Sequence, residues 1–201
     1  MAITTYSELK DAIVNWTHRG DLTDRLDEFI DITESKMNRK LRLSEMEARA
    51  TTTANAEYTA LPSDYLEMRN IQLNTSTGKV LEYMTPHQMD MYDDSTTGEP
   101  SFYTIIGDEI QLVPNPSGDY TLEIDYYKEI TPLDSTNTTN FVLDGWPEIY
   151  LYGCLQQAFM YSKSASDAAF YGQEFERLIE EANRVSRKRK YSGAPMMVRP
   201  A

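Results

Sequence analysis

The sequence predicts an α+β protein, with helices at both ends and an antiparallel β-rich module inserted between them. Two observations carry this reading. Before about residue 45 and after about residue 141 apolar residues recur at helical intervals. Between those limits the pattern alternates, is rich in Thr and Tyr, and is broken by turn residues. The divisions expected are N-terminal helices over 1–45, a β-rich module over 46–133, C-terminal helices over 141–190 and an extended arm over 191–201.

In "TTYSELKDAIVNWTHRGDL" Thr5 and Glu8 have the spacing of a capping box, in which each side chain satisfies the other's backbone amide. Tyr6, Leu9, Ile13 and Trp16 form the apolar face, and Gly20 is a natural stop. A second helix is expected over 22–43, its stripe made of Leu22, Leu26, Phe29, Ile30, Thr33, Met37 and Leu41.

Beyond residue 46 the period becomes that of a strand, interrupted at Asn55 and Pro62, with Leu66, Met68 and Ile71 to Leu73 as a further β run. In "SFYTIIGDEIQLVPNPSGDYTLEIDYYKEI", turns at Gly107-Asp108 and Pro116-Ser117-Gly118 separate three runs, which reads as an antiparallel meander. Thr85 and Pro86 open a short helix inside the module. "DSTNTTN" at 134–140 is a polar linker, after which Asp144 is placed to cap a helix carrying Leu151, Leu155 and Phe159, with Pro147 in its first turn. A last helix over 166–190 aligns Phe170, Phe175, Leu178, Ala182 and Val185.

Composition narrows function. The 201 residues carry a formal charge of -13, unevenly spread. Residues 1–183 hold 13 of the 19 Lys+Arg and all 32 Asp+Glu, which is -19, whereas residues 184–201 contribute +6. An acidic body repels nucleic acid over a screening length of about 8 Å, which argues against a sequence-reading DNA binder. Fourteen Tyr against six Phe favours half-wet contact surfaces and hence association. The single cysteine, Cys154, excludes an internal disulfide. The opening residues lack the pattern of a secretory leader, and no run approaches the ~18 apolar residues of a membrane span, so a soluble protein, cytosolic where it is made, is expected.

Chemistry-bearing motifs are missing. His18 and His87 lie in no HExxH or Cys/His cluster and read as surface or capping residues; no metal or cofactor is expected. The nine glycines form no P-loop, GxGxxG or GxSxG. Cys154 on an apolar helix reads as a small hydrophobe. The acidic pairs in "DEFIDITE" and "FERLIEEAN" have the raw material of glycosidase chemistry, but solvated helix faces look the same, and no catalytic residue is assigned.

The C-terminal "SRKRKYSGAPMMVRPA" needs its own account. Cations in the last turns of a helix oppose the negative end of its dipole, which explains the basic run. It does not explain the apolar triplet Met196, Met197 and Val198 beyond Gly193 and Pro195. Three buried side chains return less than the entropy lost in ordering about ten residues, so this segment should order only on a partner.

Blocks running in order along the chain, "YSELKDAIVNW", "KMNRKLRLSEMEARAT", "ALPSDYLEMRNI", "YMTPHQMD", "PSFYTIIGDEIQLVPNP", "LEIDYYKEI" and "YLYGCLQQA", resemble the phage adaptor proteins of the head-to-tail connector, the group similar to the tail accessory factor of short-tailed phage P22. The resemblance implies a structural protein rather than an enzyme. It implies a ring, typically of twelve copies, docked beneath the portal, extending the DNA channel and offering a platform to the next tail or nozzle component. The place implied is the neck of the virion, with host cytoplasm before assembly and no membrane. DNA would pass along an acidic wall without sequence-specific binding.

Carried onto residues, the resemblance implies a portal-binding arm made of Arg184, Arg187, Lys188, Arg189, Lys190, Tyr191, Met196, Met197, Val198 and Arg199, with Tyr150 and Tyr152 at contacts between neighbouring subunits. A monomer is expected before docking. Two rivals stand beside it: a peptidoglycan hydrolase using helix carboxylates such as Glu174 and Glu176, and a nucleic-acid-associated protein using the basic C-terminal segment.

Overall fold

A computed structural model describes residues 3–75, 78–92 and 96–191. The fold is α+β, as the change of period predicts. By backbone contacts the chain divides into two compact units, one drawn from 1–46 and 130–201 and the other formed by Glu47–Glu129.

Helix α1, Tyr6–Thr17, begins with the anticipated capping box: Glu8 N–H donates to Thr5 Oγ1 at 3.3 Å and Thr5 N–H to Glu8 Oε2 at 3.1 Å. It stops before Gly20, because His18 takes the left-handed cap at φ 53°. Leu9 and Ile13 are buried, but Trp16 is 48% exposed and leaves the expected core face.

The helix expected over 22–43 is shorter and enters through a different geometry. Gly20–Arg25 is a 3-10 turn, and α2 runs Leu26–Lys40. Its end is imposed from far away in sequence: Asn183 Oδ1 accepts from Arg42 N–H at 2.8 Å, and Asn183 Nδ2 donates to Lys40 C=O at 2.9 Å. Backbone groups captured in this way are no longer available to continue the helix. Every member of the predicted stripe is nonetheless buried, Thr33 included, since its hydroxyl donates to Phe29 C=O at 2.7 Å.

The β unit contains β1 (Glu47–Ala54), β2 (Tyr58–Ala60), β3 (Tyr65–Leu73), β4 (Lys79–Val80), β5 (Glu82–Tyr83), the short helix α3 (Pro86–Met89), β6 (Thr97–Gly98), β7 (Phe102–Ile106), β8 (Glu109–Val113), β9 (Asn115–Pro116) and β10 (Tyr120–Lys128). α3 starts with a capping box of Thr85 and Gln88 and with Pro86 in its first turn.

One sheet has the order β1-β10-β3-β4 and the other β2-β8-β7-β5. Side chains from both meet in a single core that includes Ile71, Leu73, Tyr103, Ile110, Leu112, Leu122 and Ile124. The expected meander is therefore corrected. β7 and β8 form a hairpin at Gly107, whose φ of 61° needs no Cβ, but β10 joins β1 and β3 instead. Pro114 and Pro116 lack the N–H that would carry β8's ladder onward, so the chain is free to cross to the other sheet.

Residues 130–140 form a strap that returns the chain to the helical unit, with Ile130 and Leu133 buried. Helix α4, Phe141–Gly145, is capped by Asn140, whose Oδ1 accepts from Val142 N–H and Leu143 N–H. Asp144, expected to cap the helix that carries Leu151, lies inside α4 instead, and that next helix starts at Pro147 behind Trp146 with no side-chain cap. Asn140 caps α4 because it has extended backbone and a side-chain acceptor facing the free amides.

Helix α5, Pro147–Tyr161, is buried almost all round and touches α1, α2 and α4. It packs along α6, Ala165–Tyr191, whose 27 residues span about 40 Å at ~1.5 Å per residue. α6 buries Ala168, Phe175, Leu178, Ile179 and Ala182, whereas Phe170 and Val185, expected on that face, are exposed. Among the described residues no helix is long and apolar enough to cross a membrane.

Candidate functional site: the basic end of α6 and an aromatic cluster

The second half of α6 is fixed by polar contacts to the turn after α2. Beside the two Asn183 bonds, Ser44 N–H donates to Ser186 Oγ at 2.8 Å, and Arg189 Nη1 lies 2.7 Å from Glu45 Oε1. Burial works against the charge on Glu45, yet bonds from its own amide, Ser44 and Arg189 hold its pKa below the ordinary value. These contacts hold one side of α6 and turn the other outward.

Arg184, Arg187, Lys188, Arg189 and Lys190 are exposed, and Lys188, Arg189 and Lys190 occupy the last turn of the helix. That position opposes the carbonyl end of the dipole by ~0.3–1 kcal/mol per cation. Arg187 Nε donates to Asn183 C=O at 3.4 Å, and Arg184 and Arg187 border a shallow groove with Arg177, Glu180 and Glu181. The structure thus gathers five of the ten expected arm residues on one helix end. Tyr191 closes α6, while Met196, Met197, Val198 and Arg199 lie outside the described residues.

The two tyrosines expected at subunit contacts have different fates. Tyr150 is fully buried, its hydroxyl donating to Glu34 Oε1 at 2.8 Å and accepting from Asn140 Nδ2 at 2.6 Å. Its side chain is committed inside the protomer, so the described fold lends that expectation no support at Tyr150. Tyr152, two residues on and so on another side of α5, is half-buried in a cluster around Tyr171. Ring centroids lie 5.9 Å apart for Tyr152 and Tyr171, 5.3 Å for Phe159 and Tyr171, and 6.1 Å for Trp16 and Tyr152. Phe170 meets Tyr171 edge-on at 5.2 Å and is 58% exposed. No sequence pattern flags this cluster, because its members come from three helices: helical period assigns Trp16, Phe159 and Phe170 to core faces and gives Tyr171 no place.

The remaining candidates are occupied by structural work. Glu174 pairs with Arg177 at 2.8 Å and Glu176 with Lys40. Cys154 is buried near Phe29 C=O, and burial pushes its thiol up to about 12. His18 serves as the α1 cap and His87 is exposed on α3. Among the described residues no group of three or more His, Cys, Asp and Glu is placed to hold a metal ion.

The family model described as SU10 adaptor protein matches residues 4–199. No curated protein matches the chain.

Proposed function

Because the chain belongs to the SU10 adaptor protein family, a family of phage head-to-tail adaptors, we propose that it forms a ring beneath the portal, twelve copies in number. The ring extends the DNA channel and gives the next tail or nozzle component its platform. The protein acts structurally, not as an enzyme, and handles DNA only as passing cargo. The observation that carries this reading is the exposed basic end of α6 on a chain whose first 183 residues carry a formal charge of -19.

Residues 184–201 are the portal-binding arm in this reading. Arg184, Arg187, Lys188, Arg189 and Lys190 face acidic portal surface, and Met196, Met197 and Val198 fill an apolar groove. The acidic body suits a channel wall along which phosphates slide without being held.

The test is a truncation. Removing residues 188–201 should leave a folded protein that no longer binds purified portal; undiminished binding by the truncated chain overturns the assignment. A sedimentation or mass measurement of the adaptor with and without portal gives the copy number.

A further inference from the structure

Side chains rather than a sheet ladder hold the strap. Glu34 Oε1 accepts from Leu133 N–H at 2.9 Å and from Tyr150 O–H at 2.8 Å. One turn further along α2, Asn38 Oδ1 accepts from Ile130 N–H at 2.9 Å. Asn140 closes the arrangement, its Nδ2 donating to Thr131 C=O at 2.9 Å and to the Tyr150 hydroxyl oxygen. Glu34 and Asn38, four residues apart on one helix face, thus stand in for the edge of a strand.

Glu34 is the unusual member, because it is 5% exposed and both its partners are neutral. The titratable groups facing it are Asp31 on its own helix, Asp134 on the strap, Tyr6 on α1, and Tyr150 and Cys154 on α5. None of these is a cation, and two are carboxylates. Burial raises the pKa of Glu34; the Leu133 and Tyr150 bonds pull it down, and Asp31 and Asp134 push it up again, leaving it above the ordinary value.

We propose that Glu34 is a proton-sensitive latch: neutral, it holds residues 130–140 against α2 and α5, and its ionisation loosens them. Protonation breaks neither bond, since a proton on Oε2 leaves both lone pairs of Oε1 for Leu133 N–H and Tyr150 O–H. Lifting the strap returns Glu34 to water and to an ordinary pKa. The held strap therefore binds the proton more tightly than the lifted one. Rising pH shifts the balance toward the lifted state, by at most about tenfold per pH unit, until Glu34 is ionised even when held.

Amide hydrogen exchange on the full chain, resolved by residue and corrected for intrinsic rates, tests this between about pH 4 and about pH 8. Protection at Leu133 and Ile130 should fall as pH rises above the ordinary glutamate pKa, and should stay below that of fully buried Leu155 in α5, which is exposed only on wider unfolding. Glu34→Gln, which keeps an acceptor and cannot ionise, should abolish the fall. Tyr150→Phe removes a bond that favours the ionised form, so the fall should extend to higher pH. Level protection at Leu133 in the unaltered protein, an equal fall in Glu34→Gln, or protection at Leu133 as high as at Leu155 each overturns the latch.

Discussion

Gly153 on α5 lies against the ring of Phe175 on α6: a Cβ at Gly153 would come within 2.9 Å of Phe175 Cε2, and within 2.3 Å of Thr33 Cγ2 on α2. Three helices meet at this point because one of them has no side chain there. Gly153→Ala gains about 1 kcal/mol of helix propensity, but Thr33 and Phe175 are both fully buried and have nowhere to go. The overlap should win, with a net loss of about 1–3 kcal/mol in urea denaturation. An unchanged midpoint would mean that α5 and α6 are less closely packed than described.

Asn183 makes a different kind of long-range contact, binding both Arg42 N–H and Lys40 C=O. Asn183→Ala leaves both groups without this partner, at a cost of about 1–2 kcal/mol, again read from denaturation. Because the side chain faces the turn after α2 rather than the exposed cations, portal binding at low temperature should survive the change. That separates the folding role of Asn183 from the recognition role proposed for Arg184 and Lys188.

These two positions also mark where the sequence stops being readable. The stripe from Leu22 to Leu41, the Thr5 and Glu8 capping box and the β7-β8 turn are local patterns, and local rules found them. The end of α2 depends on Asn183, more than 140 positions away, and a helical period cannot register such a partner. The separation of β8 from β10 into different sheets likewise turns on pairing partners, with β1 and β3 occupying the two edges of β10. At the candidate site the basic end of α6 was legible as a charge anomaly. Tyr150 was not, since aromatic residues two apart on an apolar helix look alike until Glu34 and Asn140 take one of them.

Stability should depend on pH in two opposite ways. Lys10 and then Tyr6, both donating to Asp27 Oδ1, hold the Asp27 carboxyl below its ordinary pKa, and Glu8, Asp21 and Asp134 are lowered too. A lowered carboxylate contributes stability above its unfolded pKa and loses it as pH falls through the folded one. Glu34 is raised, so its contribution is complete below the ordinary glutamate value and is lost as pH rises through its folded value. The denaturation midpoint should therefore decline at both ends. Asp27→Asn should make the acid side shallower, by a modest amount because Asp27 is largely exposed, and Glu34→Gln should flatten the other side. A midpoint that only rises from acid to neutral pH in the unaltered protein would contradict the assignment of Glu34.

The aromatic cluster yields the sharpest separation of stability from assembly. Trp16 is 48% exposed and Tyr152 half-buried, so neither truncation opens a closed cavity, and each should cost no more than about 1–2 kcal/mol. Aromatic residues that stay half-wet in the free protomer are those that contribute most when a partner excludes the remaining water. In the ring reading that partner is the neighbouring adaptor, to which the cluster offers half-wet aromatic contact area. Trp16→Ala combined with Tyr152→Ala should therefore give a chain that folds and still presents the α6 cations, yet fills portal incompletely. Electron microscopy of portal mixed with excess variant would count the copies bound. Complete rings at unaltered affinity would move the subunit contact elsewhere and leave the cluster as packing alone. Loss of all binding would instead place it against the portal, because a defect between neighbours should thin the ring before it empties it.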